Sequence, residues 1–129
     1  MANMASYLEE EVLQEKLVDA TVYVGLVEDS ATDVDLESGD LTNEITGYDG
    51  DRKAISFTAP SQVSGKGTVQ NDVQIDFENM PATTVEYAII CDSATGGNIL
   101  YWCPAINNKT TNSGDTYRVD TNDLTIDQD

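Results

Sequence analysis

The sequence predicts a mainly β fold, an antiparallel β-sandwich of jelly-roll-like character with one N-terminal helix. Three observations predict it. Apolar residues recur at helical spacing only before residue 20, and at period two after it. Turn-forming clusters, among them GYDGD, SGKG, SATGG and NSGD, punctuate the remainder at close spacing. Two nearly continuous apolar runs, TTVEYAIICD and NILYWCPAI, flank one of those turns. The length of 129 residues suits one domain with a core of its own. The expected organisation is a helical segment, 1–20, packed on a β-sandwich, 21–129.

The elements follow in chain order. Ser6 and Glu9 make the S-x-x-E pattern of a capping box, and Glu9, Glu10 and Glu11 crowd the first turn, where the helix dipole favours acids. Leu8 with Val12, and Leu13 with Leu17, are apolar pairs at helical spacing on separate flanks. Such a helix can touch its own domain and a neighbour, so these four leucine and valine positions are the candidate interface. TVYVGLVE, from Thr21 to Glu28, is rich in β-branched residues and reads as a strand. RKAISFTAP places Ile55, Phe57 and Ala59 on one face, with Pro60 ending it. In DVQIDFE, Val73, Ile75 and Phe77 face inward and their polar neighbours outward, as in a half-wet antiparallel sheet. The two apolar runs around SATGG are the central strands of the core, joined as a hairpin. TYRVD and DLTID supply the last short strands, for seven or eight in all. If Gly96-Gly97 centres a two-residue turn, Cys91 lies opposite Trp102 and Cys103 points to the other face. Two buried free thiols follow, rather than a disulfide. Trp102, in the most apolar strand, reads as core.

The charge is lopsided, with 24 acids, 6 bases and no histidine, for a net −18. Such a surface repels phosphate backbones and anionic membranes, which argues against a nucleic-acid or membrane partner. The acids are spread along the whole chain, bases are scarce, and small residues and threonine abound. Two readings compete: an ordinary soluble acidic protein or an interaction tail folded into a domain, and, favoured by this pattern, adaptation to molar salt, where the screening length falls to about 3 Å and self-repulsion fades. Met1 to Tyr7 is neither basic nor followed by a long apolar run, so no secretory signal is read there. A sequon stands at Asn108-Lys109-Thr110.

The acids concentrate most densely in DSATDVDLESGD, where four aspartates and one glutamate fall between Asp29 and Asp40. Calcium is the chemical option there, because it takes six to eight oxygens from closely spaced carboxylates and carbonyls. Asp33, Asp35, Glu37 and Glu44 fall at positions 1, 3, 5 and 12 of an EF-hand count. Ser38 occupies the position that needs glycine and no helices flank the loop, so the EF-hand reading fails. A looser cation site on these four carboxylates remains the metal candidate, with a solvated acidic loop as the default. No other cofactor is indicated. Without histidine the common nucleophile–base pairs are absent, and no glycine-rich phosphate loop is present, so the chain reads as a non-enzyme.

The strand and turn outline resembles a family of small virion proteins of tailed phages, named as tail fibre proteins or head decoration proteins. The resemblance rests on a short N-terminal helix followed by Thr21 to Leu26, on Ala54 to Ala59, and on Asn71 to Phe77. It rests further on the hairpin DSATGGNILYW from Asp92 to Trp102, then NSGDTYRV, and a closing Leu124 to Ile126. It runs nearly the whole chain in order, and the acidity and the long loop after the first strand are the departures. The resemblance implies a virion protein without a catalytic motif. Its partners would be the major capsid protein or other virion proteins, and it would self-associate as a homo-oligomer. Within it, the expected function is capsid decoration, stabilising the outer surface of a head. The alternative is a tail fibre, fibre-adaptor or baseplate part. A calcium- or carbohydrate-binding module of non-viral origin is the third class.

Overall fold

The computed structural model describes residues 4–128, with the side chains of all of these but 33, 34 and 106–109. Helix α1 (Ser6–Leu13) opens the chain and widens into a π turn over Gln14–Val18. There the Asp19 amide donates to the Gln14 carbonyl. Nine strands follow among the described residues, with a one-turn helix after the first. They are β1 (Val22–Glu28), α2 (Asp33–Glu37), β2 (Lys53–Ile55), β3 (Ser61–Val63), β4 (Lys66–Gln70), β5 (Ile75–Met80), β6 (Thr83–Cys91), β7 (Ile99–Thr111), β8 (Asp115–Val119) and β9 (Thr125–Gln128).

All strand pairings are antiparallel. One sheet runs β2-β1-β6-β7, a second β3-β4-β9, and a third pairs β5 with β8. The mainly β, antiparallel fold with one N-terminal helix is therefore the one the sequence predicts. The main core joins Val22, Val24 and Leu26 of β1 and Ala88 and Ile90 of β6 to residues from the two smaller sheets. Those include Val69, Phe77, Tyr117 and Ile126, with Leu13 and Leu17 packed in beside them. Three sheets thus share one apolar interior in a sandwich-like arrangement.

The apolar runs of β1 and β6 have a physical explanation in a second, smaller cluster. Val27, Ile89 and Cys91 point to the opposite face of the four-stranded sheet, where they meet Ala31 and Leu36. Both faces of the two central strands are covered, so alternation disappears from their sequences. A bulge corrects the parity at one end. Val27 pairs with Tyr87 but Glu28 pairs with Val85, so Glu86 is an extra residue and Val85 turns back into the main core.

Several expectations are corrected in detail. The capping box does not form: Ala5 is the N-cap, with no side-chain bond, because Glu9 is buried and spent on β4. Val73 is exposed and lies before β5, leaving Ile75 and Phe77 as the inward pair. Of the next expected face, Ile55 and Phe57 are buried but Ala59 is exposed. SGKG turns the chain as expected, with Ser64 and Gly65 at positive φ, but it is the tip of a β3–β4 hairpin that the sequence did not suggest. Around SATGG the loop is longer than two residues, since the Asp92 amide donates to the Asn98 carbonyl. Cys91 consequently faces Ile99, while Trp102 faces Ile89. Both cysteines are free, on opposite faces as expected, with Cys91 buried and Cys103 half-buried. Trp102 packs against the smaller cluster rather than the main core.

Candidate functional site

The acidic loop is held down at both ends. In α2, Leu36 is buried against the outer face of the central sheet, while Glu37 accepts a bond from the Trp102 indole N–H at 3.0 Å. Thr32 and Asp35 cap the turn reciprocally, each side chain accepting from the other's backbone amide. At the far end, the Arg52 guanidinium forks onto Glu44, Nε to Oε2 at 2.6 Å and Nη2 to Oε1 at 2.7 Å. Its remaining nitrogen, Nη1, donates to the Ser93 and Gly96 carbonyls. Arg52 thus clips the acidic loop to the tip of the β6–β7 hairpin, beside a cleft of about 380 Å³ lined by Tyr48, Thr95 and Gly96 among others.

The four carboxylates proposed for a cation are therefore placed as follows. Glu44 is paired with Arg52, Glu37 with Trp102, and Asp35 with the Thr32 amide. The Asp33 side chain lies outside the described residues. No group of three or more His, Cys, Asp or Glu that could hold a metal is present among the described residues. The Asn108 side chain of the sequon also lies outside them. What this loop does in the fold is mechanical: it covers apolar sheet surface with an acidic outer skin.

The candidate interface helix divides its residues by face. Leu13 and Leu17 are buried in the main core, whereas Leu8 is 46% exposed and Val12 half-buried. Glu9 continues the inner stripe at 2% exposure, and its Oε1 accepts from the Gly67 amide at 3.2 Å and from Gln62 Nε2 at 3.3 Å. Gly67 is what lets α1 lie so close to β4. A Cβ there would sit 2.9 Å from Glu9 Cβ and 3.2 Å from its carbonyl carbon. Gln62 on the edge strand β3 also bonds Ser6 and Glu10, so the start of α1 is tied to β3.

The outer face of α1 presents Tyr7, 77% exposed. With Glu10, Glu11 and Gln14 it lines one wall of a groove of about 380 Å³ whose other wall is Ala59 and Pro60. Sequence reasoning singled out Leu8, Val12, Leu13 and Leu17 and passed over Tyr7. The signal was present, because Tyr7, Glu10, Glu11 and Gln14 recur at i, i+3, i+4 and i+7 and share one helix face. Val63 on β3 is a further large apolar residue left in water. The long strand β7 is an edge of its sheet, and Pro104 on it removes one ladder donor, a common protection of exposed edges.

These surfaces can bind or pack. No helix is long and apolar enough to cross a membrane among the described residues. The model of one protein family, podophage GP4 fiber I protein gp80, matches residues 3–127. No curated protein matches the chain.

Proposed function

The chain belongs to this phage fibre family, a virion component, and on that premise we propose that it is a compact fibre-adaptor or fibre-base module of a tailed-virus particle. The observation that carries the reading is the span of the match, which takes in α1 and all nine strands but for the last residue of β9, rather than an appended piece. The matched region folds as one sandwich of three small sheets rather than as a repeating array, which suits a connector better than an extended fibre. Its polar groups are spent on holding loops and helix in place, in keeping with a structural rather than a catalytic role.

Capsid decoration is the second reading. It is favoured by the firm seating of α1, which leaves a rigid, partly apolar face beside a strongly acidic surface. A protein that binds only the assembled lattice would stabilise it by that preference, and the acidic outer faces would keep particles dispersed. In either reading the neighbours are other virion proteins, self-association closes a symmetric ring, and the charge of −18 reflects a host living in high salt.

Quantitative mass spectrometry on separated heads and tails decides between them. A few copies following the tail support the adaptor. Hundreds of copies following the head overturn it in favour of decoration.

A further inference from the structure

We propose that the groove between the outer face of α1 and the Ala59–Pro60 segment docks a basic, apolar-bearing segment of another virion polypeptide; the proposal rests on the virion reading above. The groove is built, not incidental. Its helical wall is fixed from behind by Leu13 and Leu17 in the core and by Glu9 on the Gly67 amide. Pro60 forms the opposite wall with a fixed φ and no amide N–H. The apolar surface of the helical wall is the Tyr7 ring, largely in water, which gains by being covered.

Charge decides the occupant. The helical wall of the groove carries Glu10 and Glu11, and no base lines it among the described residues. An arginine entering there can stack on the Tyr7 ring and meet a carboxylate in the same pose. A second copy of this chain is a poor match. It carries 24 acids against 6 bases. Of those bases Arg52 is buried on Glu44 and Arg118 is forked onto Asp76. Self-association through this groove would set acid against acid.

The test adds purified full-length protein to virus particles lacking it, and counts retained copies after sedimentation at stepped KCl. Three variants are compared: Tyr7→Ala, Glu10→Gln with Glu11→Gln, and Val73→Ser as an exposed apolar control away from the groove. The first should lower retention about tenfold or more, as loss of a buried aromatic anchor does. The glutamine pair should lower it less, and flatten its dependence on KCl. Val73→Ser should bind as wild type. All the altered side chains but Glu10 are exposed, and unchanged thermal melts confirm that the variants fold.

Wild-type protein that never binds particles, and is absent from purified virus, overturns the virion reading itself. Wild type that binds while both groove variants bind equally well overturns the groove alone. A glutamine pair indistinguishable from wild type at every KCl concentration overturns the basic partner. If Tyr7→Ala instead dissolves an oligomer of the free protein in sedimentation, the occupant is a second copy and the proposal fails.

Discussion

Arg52 and Glu44 are joined by a two-point ion pair whose side chains are 3% and 13% exposed, and Arg52 alone bridges to two carbonyls of the β6–β7 loop. Removing one partner of so buried a pair leaves the other charge stranded. Arg52→Ala should therefore cost about 3–5 kcal/mol, read as a shift of the urea midpoint at constant slope. Replacing both partners, Arg52→Met with Glu44→Leu, should restore part of that loss, because no lone charge is left behind. A double variant as unstable as the single one would mean that the carbonyl bonds, rather than the ion pair, hold the loop.

Gly67 and Glu9 set how closely α1 lies on β4. Gly67→Ala places a methyl group against helix backbone, which cannot yield as a side-chain tip can. The expected loss is about 1–3 kcal/mol, with faster amide exchange in α1 than in β6. Glu9→Gln keeps an acceptor for the Gly67 amide and should be milder than Glu9→Leu, which leaves that amide unpaired.

These two sites also mark the limit of what the residues reveal in one dimension. The strands around Val24, Phe77 and Ile90 were legible because burial imposes a period or an unbroken apolar run on them. The helix was legible for the same reason, through Leu13 and Leu17. Glu9 was misread as a capping residue, since a local motif cannot reveal that Gly67, far along the chain, offers it an amide. Arg52 carried no local signal, because its partners at Glu44, Ser93 and Gly96 are assembled only by the fold. The β3–β4 hairpin was missed because Ser61 to Val63 is exposed throughout and carries no burial pattern.

Leu36 anchors the acidic loop, and the chain's one tryptophan reports on it. Trp102 donates to Glu37 and meets the Tyr87 ring edge-on at 6.0 Å. Leu36→Ala should cost about 2–3 kcal/mol, the low end for a buried leucine because the cluster is small. Tryptophan emission should shift to the red as α2 loosens and water reaches the indole. Glu37→Gln retains an acceptor and should leave the spectrum nearly unchanged. A red shift from Glu37→Gln as large as that from Leu36→Ala would show that charge, not packing, seats the loop.

Burial pushes the Cys91 thiol up to about 11 and the Tyr48 hydroxyl up to about 12. Both raised values mean that the fold favours the neutral forms. The Cys91 contribution is complete below the ordinary thiol value of 9.0 and is lost as pH climbs through about 11, and that of Tyr48 is complete below 10.0 and is lost through about 12. Stability should hold level from neutrality to about pH 9 and then decline, with part of the decline absent in Cys91→Ala. Cys91 should also resist thiol reagents in the folded protein at neutral pH, since little thiolate forms and the side chain is buried. Rapid labelling of Cys91 under native conditions would contradict the packing of the smaller cluster.

Salt should stabilise this protein, and the way it does so separates diffuse screening from a bound ion. With a net charge of −18, self-repulsion acts between acids spread along the whole chain. The screening length falls from about 10 Å at 0.1 M salt to about 3 Å at 1 M, so the unfolding midpoint should climb steeply with KCl at first and more slowly beyond. If diffuse screening is the whole effect, millimolar calcium and magnesium should raise the midpoint alike, because Glu37 and Glu44 already hold Trp102 and Arg52. Asp35→Asn should then leave the calcium response intact. A calcium-specific rise, stoichiometric by calorimetry and lost in Asp35→Asn, would instead place an ion in the loop. A midpoint that ignores KCl altogether would remove the case for a high-salt origin, since the acidity would then impose no measurable cost in dilute buffer.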